Sequence, residues 1–150
     1  RYKDVKKYAS YPIDSYWAKI ADVQTYYDIN MDFLKPENRK FFFKDYPEVY
    51  TKIDDNPPAK FNPGAKVKNS LISSGSIING EVEGSVLFKK VFVGNNCVIK
   101  NCVLMNDVYV SDNVTLENVI VESGSTIKAN ETIKADKPVV VVEENERFML

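Results

Sequence analysis

A mainly β solenoid is the fold this sequence predicts, on three observations. Ile, Leu or Val fills every position of three columns in the second half: Ile72, Leu87, Leu104 and Val121; Ile78, Val93, Val110 and Ile127; Val82, Ile99, Leu116 and Ile133. The columns repeat every 17 residues in units opening at Gly84, Asn101 and Asn118, and the unit that opens at Asn69 is two residues shorter. Between them recur residues that accept a left-handed backbone, at Ser74-Gly75, Asn79-Gly80, Gly94-Asn95-Asn96, Asp112-Asn113 and Ser123-Gly124.

A fixed period comes first, because one such unit cannot bury its apolar face except against its neighbours. Within a full unit the apolar sites are six, six and five residues apart. That spacing fits a triangular coil of three short strands per turn, with one branched side chain per strand pointing at the axis. Small residues two positions before many core sites, at Ser70, Ser76, Ser85, Cys102 and Ser125, suit a narrow interior. A β-sandwich also alternates apolar and polar residues, but nothing in that architecture keeps a 17-residue register. The coils resemble the hexapeptide-repeat proteins. That resemblance implies a left-handed parallel β-helix, an exception to the right-handed crossover rule.

Residues 1–21 mix aromatics with charges, from Arg1-Tyr2-Lys3-Asp4-Val5 to Ser15-Tyr16-Trp17-Ala18-Lys19-Ile20-Ala21, and are expected to end a larger sheet with a strand. A helix is expected over 22–35, with Asp22 as N-cap, Val23, Tyr27, Met31 and Leu34 on one face, and Pro36 to stop it. A linker rich in aromatics and prolines follows, through Tyr46-Pro47 to Asn56-Pro57-Pro58-Ala59-Lys60-Phe61. The expected division is therefore 1–62 for the end of a preceding domain and its linker, and 63–150 for the β-helix. Its last segment, Lys137-Pro138-Val139 to Val142 and then Glu143-Glu144-Asn145-Glu146-Arg147, is expected to be a closing strand with a polar end that caps the open coil.

Composition narrows the function. The 150 residues carry 20 basic and 21 acidic side chains and are 44% apolar, enough for a proper core and without a basic run to attract nucleic acid. No stretch has the ~20 apolar residues of a membrane span, and no signal-peptide pattern opens the chain. The two cysteines, Cys97 and Cys102, fall inside the repeat like ordinary small residues, so a reducing cytoplasm is the expected compartment. Histidine is absent. Hexapeptide-repeat acyltransferases resemble these coils, but their chemistry rests on a histidine base, and Ser-His and Cys-His arrangements are excluded with it.

The first half supplies the family. Ser15 to Asp22, then Ile29-Asn30-Met31-Asp32-Phe33, then Pro57 to Phe61, then coils from about Val67 follow one another in order. This succession resembles the C-terminal part of glucose-1-phosphate adenylyltransferase, also called ADP-glucose pyrophosphorylase. Its catalytic members carry a stretch close to Gly-Tyr-Trp-Arg-Asp-Val-Gly-Thr, a helix with an Ala-Asn-Met-Asp-Leu core, a Pro-Pro-Ala-Lys-Phe segment and a β-helix. The resemblance implies a fragment, with the α/β nucleotide-binding domain and its Gly-rich loop upstream of Arg1. It also implies that the family's aspartate in the first stretch helps to hold Mg²⁺, which needs carboxylate oxygens. Lys19 stands at that position, putting a positive charge where the metal would sit. Ser15, Ala18, Ala21 and Asp22 depart from the pattern as well. No catalytic, cofactor-binding or metal-binding residue is therefore assigned here, and Mg²⁺ is expected only in a catalytic subunit.

Some bacteria pair a catalytic chain with a GlgD-type chain that has lost catalytic residues, and this sequence is most similar to the second kind. The implied role is a regulatory or oligomerisation region in ADP-glucose synthesis for glycogen. Two outward apolar stripes are candidate interfaces with a catalytic subunit or another copy: Leu71, Val86, Val103 and Ile120, and a second holding Ile77, Phe92 and Tyr109. Such a stripe would pack on the catalytic domain or on another β-helix. Lys60, Lys66 and Lys68 lie where family members bind phosphorylated effectors, but linker lysines are usually just solvated, and no site is assigned to them. An active nucleotidyltransferase that holds its metal differently stays open as an alternative. So does a structural β-helix that binds through a regular face, although Thr115, Thr126 and Thr132 form no ladder.

Overall fold

A computed structural model describes residues 7, 9–13, 15–45, 50, 52 and 54–142. Arg1 to Val5, Tyr46-Pro47 and Glu143 to Arg147, on which expectations for a sheet, a linker and a polar cap were placed, lie outside the described residues.

Asp22 caps the first helix as its side chain predicts. In α1 (Val23–Asp32) its carboxylate accepts the Thr25 amide at 2.8 Å while the Thr25 hydroxyl accepts the Asp22 amide, a reciprocal capping box. The helix ends earlier than expected. Phe33 and Leu34 form a turn, and Pro36 opens α2 (Pro36–Lys40) at its first turn, where a missing N–H costs nothing. A π-type turn, Phe41–Asp45, continues from it. Tyr16, Phe33 and Phe42 gather into an aromatic cluster with ring centroids 5.2 to 6.5 Å apart. Ahead of α1, the described residues form no strand.

The rest is a parallel β-helix of the hexapeptide-repeat kind, with three faces. Face A stacks β1 (Lys60–Phe61), β4 (Ile77–Ile78), β7 (Phe92–Val93), β10 (Tyr109–Val110) and β12 (Thr126–Ile127). Face B stacks β2 (Lys66–Lys68), β5 (Glu81–Glu83), β8 (Val98–Lys100) and the first part of β11 (Thr115–Val121). Face C stacks β3 (Leu71–Ile72), β6 (Val86–Leu87), β9 (Val103–Leu104) and the last part of β11. β13 (Thr132–Val141) closes both B and C. The first coil thus begins at Lys60, inside the Pro57-to-Phe61 segment.

The columns are the core. Ile78, Leu87, Val93, Ile99, Leu104, Val110, Leu116, Val121 and Ile127 are fully buried, and only Ile72 and Ile133, in the end coils, are partly exposed. Each buried branched side chain contributes about 1.5–3 kcal/mol by leaving water. The small column beside them is polar but satisfied. The Ser85 hydroxyl donates to the Glu83 carbonyl at 2.8 Å and accepts the Cys102 amide at 3.0 Å, so no buried hydroxyl is wasted there.

Corners obey the same register. Asn69, Gly84, Asn101 and Asn118, the residues at which the sequence divides into units, all have φ between 44° and 57° and make one column of left-handed corners. Asn96, Asn113 and Asn130 make a second, where the Asn96 amide donates to Asn113 at 3.2 Å and Asn113 to Asn130 at 3.1 Å. Gly75, Lys90, Asp107 and Gly124 make the third. Lys90 is the one member whose type carries no turn signal; its amide donates to the Ser74 carbonyl at 3.1 Å. The shortened unit loses its two residues at Asn79-Gly80, which turns without a positive φ. A Cβ on Gly80 would lie 2.6 Å from the Cys97 carbonyl oxygen, so the coils touch backbone to backbone.

Candidate functional site

With the interior filled, function rests on the outward residues, and the three faces differ. Face B presents Lys68, Glu83, Lys100, Glu117 and Lys134 in one row, alternating in sign up the stack. Lys68 and Glu83 lie 2.7 Å apart, Lys134 and Glu117 3.5 Å apart, and Lys66 pairs with Glu81 in the neighbouring row. Hydrogen bonding to its partner carboxylate raises the pKa of each of Lys66 and Lys68. These two lysines at the linker junction are thus engaged within the coil. A row neutralised step by step suits water and discourages sheet stacking.

Face C carries the stripe Leu71, Val86, Val103 and Ile120, and here the cover comes from the chain itself. Val103 is 0% exposed and Ile120 2% although both point away from the axis, which requires something laid over them. That something is α1. The Tyr27 hydroxyl donates to the Asn101 carbonyl at 2.8 Å, beside the left-handed corner that leads into β9. Desolvation pushes the Tyr27 pKa up to about 12, with the neighbouring Cys102 and Asp28 adding to it. Where α1 begins the cover is incomplete: Ile20, Ala21, Val23 and Tyr26 face Met105, Ile120 and Val140 across a mostly apolar groove of about 470 Å³.

Face A stays open. Lys60, Ile77, Phe92, Tyr109 and Thr126 point outward, and the Phe92 and Tyr109 rings stack at 4.5 Å with 7° between their planes. Ile77 is 36% exposed. The result is a flat, half-exposed apolar strip.

At the corner between faces C and A lies a cleft of about 510 Å³, lined by Lys52, Asp54, Asn56, Ser73, Phe88, Lys89, Lys90, Asn106 and Asp107. Lys89 meets Asp54 at 2.5 Å, and the Gly75 amide meets the Pro57 carbonyl at 2.6 Å, so the linker is strapped to the solenoid here. Sequence reasoning missed this cleft. Asp54 and Lys89 are 35 residues apart and share no motif.

Reactive groups are scarce. Cys97 and Cys102 are buried; burial raises both thiols, Cys102 to about 12, so neither is a thiolate at neutral pH. Lys19 is exposed in the irregular stretch before α1. Among the described residues no three His, Cys, Asp or Glu gather as a metal site, and Lys19 offers no carboxylate oxygen to a cation such as Mg²⁺. No helix among the described residues is long and apolar enough to cross a membrane.

A family model described as "GlmU-like, C-terminal hexapeptide" matches residues 57–148, which is the solenoid with its approach. The chain belongs to that hexapeptide family. Similarity extends beyond the coils. The chain is 35% identical over 144 residues to glucose-1-phosphate adenylyltransferase of Clostridium beijerinckii, covering 96% of this chain and 37% of that protein. It is 37% identical over 90 residues to the glycogen biosynthesis protein GlgD of Bacillus subtilis, covering 60% of this chain and 26% of that protein. With the adenylyltransferase of Fusobacterium nucleatum it shares 36% over 96 residues, 64% of this chain and 25% of that protein. This hexapeptide chain therefore spans between a quarter and two fifths of the length of these relatives.

Proposed function

We propose that this chain is the C-terminal regulatory and oligomerisation region of a non-catalytic, GlgD-type subunit, which assembles in the cytoplasm with a catalytic adenylyltransferase subunit and modulates ADP-glucose synthesis. Lys19 carries the reading. At the place where the resemblance puts a Mg²⁺-holding aspartate, this chain has an exposed ammonium, which repels a cation rather than binding it weakly. The uneven treatment of the three faces supports a docking role. Face B neutralises itself, face C is occupied by α1, and face A offers a catalytic subunit the strip of Ile77, Phe92 and Tyr109.

The test is to express the full-length subunit alone and with a catalytic homologue, and to assay ADP-glucose formation from ATP and glucose 1-phosphate with Mg²⁺. No turnover alone and an altered rate in the mixture is the expected result. Turnover alone comparable to that of the catalytic homologue would overturn it.

A further inference from the structure

The chain contains one Asn-Gly pair, Asn79-Gly80, and it occupies the corner from which the repeat has lost two residues. In such a pair the asparagine side chain is open to attack by the next backbone nitrogen, because glycine puts no side chain in the way. The folded coil restrains that reaction. Asn79 Nδ2 donates to the Val93 carbonyl at 2.9 Å, its Oδ1 accepts from Asn62 Nδ2, and its own amide donates to the same Val93 carbonyl at 3.0 Å. Gly80 is buried, its carbonyl accepts the Lys66 amide at 3.1 Å, and it has no room beside Cys97 in which to swing. A polar cleft of about 320 Å³, lined by Gly64, Lys66, Asn79 and Asn96 among others, opens beside the pair.

We propose that Asn79 is a deamidation site gated by opening of the first coils, so that the modified fraction grows with the time those coils spend open. Once the bonds to Val93 and Asn62 part, the Gly80 nitrogen loses its proton and attacks Asn79 Cγ. A C–N bond forms, the Cγ–Nδ2 bond breaks, and Nδ2 leaves as ammonia with that proton, giving a cyclic succinimide. Water then adds to either ring carbonyl and opens it to aspartate or isoaspartate; no oxidant or other co-reactant is needed. Neither product fits back. Aspartate has no N–H for the Val93 carbonyl and sets a negative charge against it, and isoaspartate adds a backbone methylene where Gly80 already lies against the Cys97 backbone.

The experiment ages the intact protein at neutral pH and body temperature, in native buffer and in unfolding urea, and follows the one-dalton gain of the Asn79 peptide by mass spectrometry. Deamidation at least about tenfold slower in the native sample is expected, because the reaction must await local opening. A smaller ratio overturns the gating. The urea-aged protein is then returned to buffer beside a fresh control and an Asn79→Asp variant. Aged protein and variant melting below the control is the expected result; melting of both with the control overturns the block on re-closure.

Discussion

Faces A and C make the same statement in sequence and meet opposite fates in the fold. Each has an outward apolar stripe in phase with the 17-residue register, yet Val103 and Ile120 on face C lie sealed under α1, while Phe92 and Tyr109 on face A stack in half-exposure. The difference teaches that an outward apolar column announces a cover without saying whose. On face C the cover is the segment just upstream of the linker, pinned by the Tyr27 hydroxyl to the Asn101 corner. On face A no described residue plays that part.

The comparison can be broken hardest with a charge. Val103→Lys would bury an ammonium beneath α1, and a loss of about 3–5 kcal/mol in urea unfolding is expected. Were Val103→Lys as stable as the parent, α1 would not be sealing that face. The core beneath sets the scale: Leu104→Ala, on the same strand but pointing inward, should cost about 2–4 kcal/mol through the cavity it leaves, read from the same curves.

The pin itself is worth less. Tyr27→Phe is expected to cost about 1 kcal/mol, the net value of one hydrogen bond, and to alter the response to alkali. Tyr27 ionises near the ordinary tyrosine value of 10.0 when unfolded and at about 12 when folded, so the folded state holds its proton longer. Its stabilisation is complete below the lower value and is lost as pH rises through the higher one. Cys102, raised in the same direction from 9.0 to about 12, adds to the loss. Circular dichroism at rising alkaline pH should show a shallower decline for Tyr27→Phe than for the parent; identical slopes would remove Tyr27 from the account. Least costly to the fold is Phe92→Lys on half-exposed face A, with a change of about 0.5 kcal/mol. Its effect belongs to assembly: in sedimentation with the catalytic subunit it should shift the profile toward smaller species, and an unchanged profile would argue against face A as the docking surface.

Much of this was legible in the sequence because a coil is a local object. The core of each turn recurs at fixed spacing, so columns from Ile72 to Ile133 could be assigned to the interior without knowing any distant contact. The Asp22 cap was legible for the same reason, since an N-cap needs only its own next turn. Where reasoning fell short, the cause was a local signal with two readings or a contact across the chain. Pro36 was expected to end a helix and instead opens α2 after the turn at Phe33 and Leu34. Lys90 adopts φ 59° in line with Gly75, Asp107 and Gly124, because the stack imposes the corner on whatever residue occupies it. The period also breaks at the end: β13 pairs Lys134 with Glu117 but Val139 with Val119, and this bulge brings Val141 rather than a seventeenth-residue successor beside Val121.

The sequence by itself determined the register, the inward columns, most corners and the family, since all of these depend on residue type at short, repeated separations. Tertiary structure alone decided which outward stripe is sealed by α1 and which stays half-exposed. It also strapped the linker to the coil through Asp54 and Lys89, and it locked Asn79 against Val93. Those outcomes depend on surfaces meeting from distant parts of the chain, and a pattern of residue types names the surfaces without naming their partners.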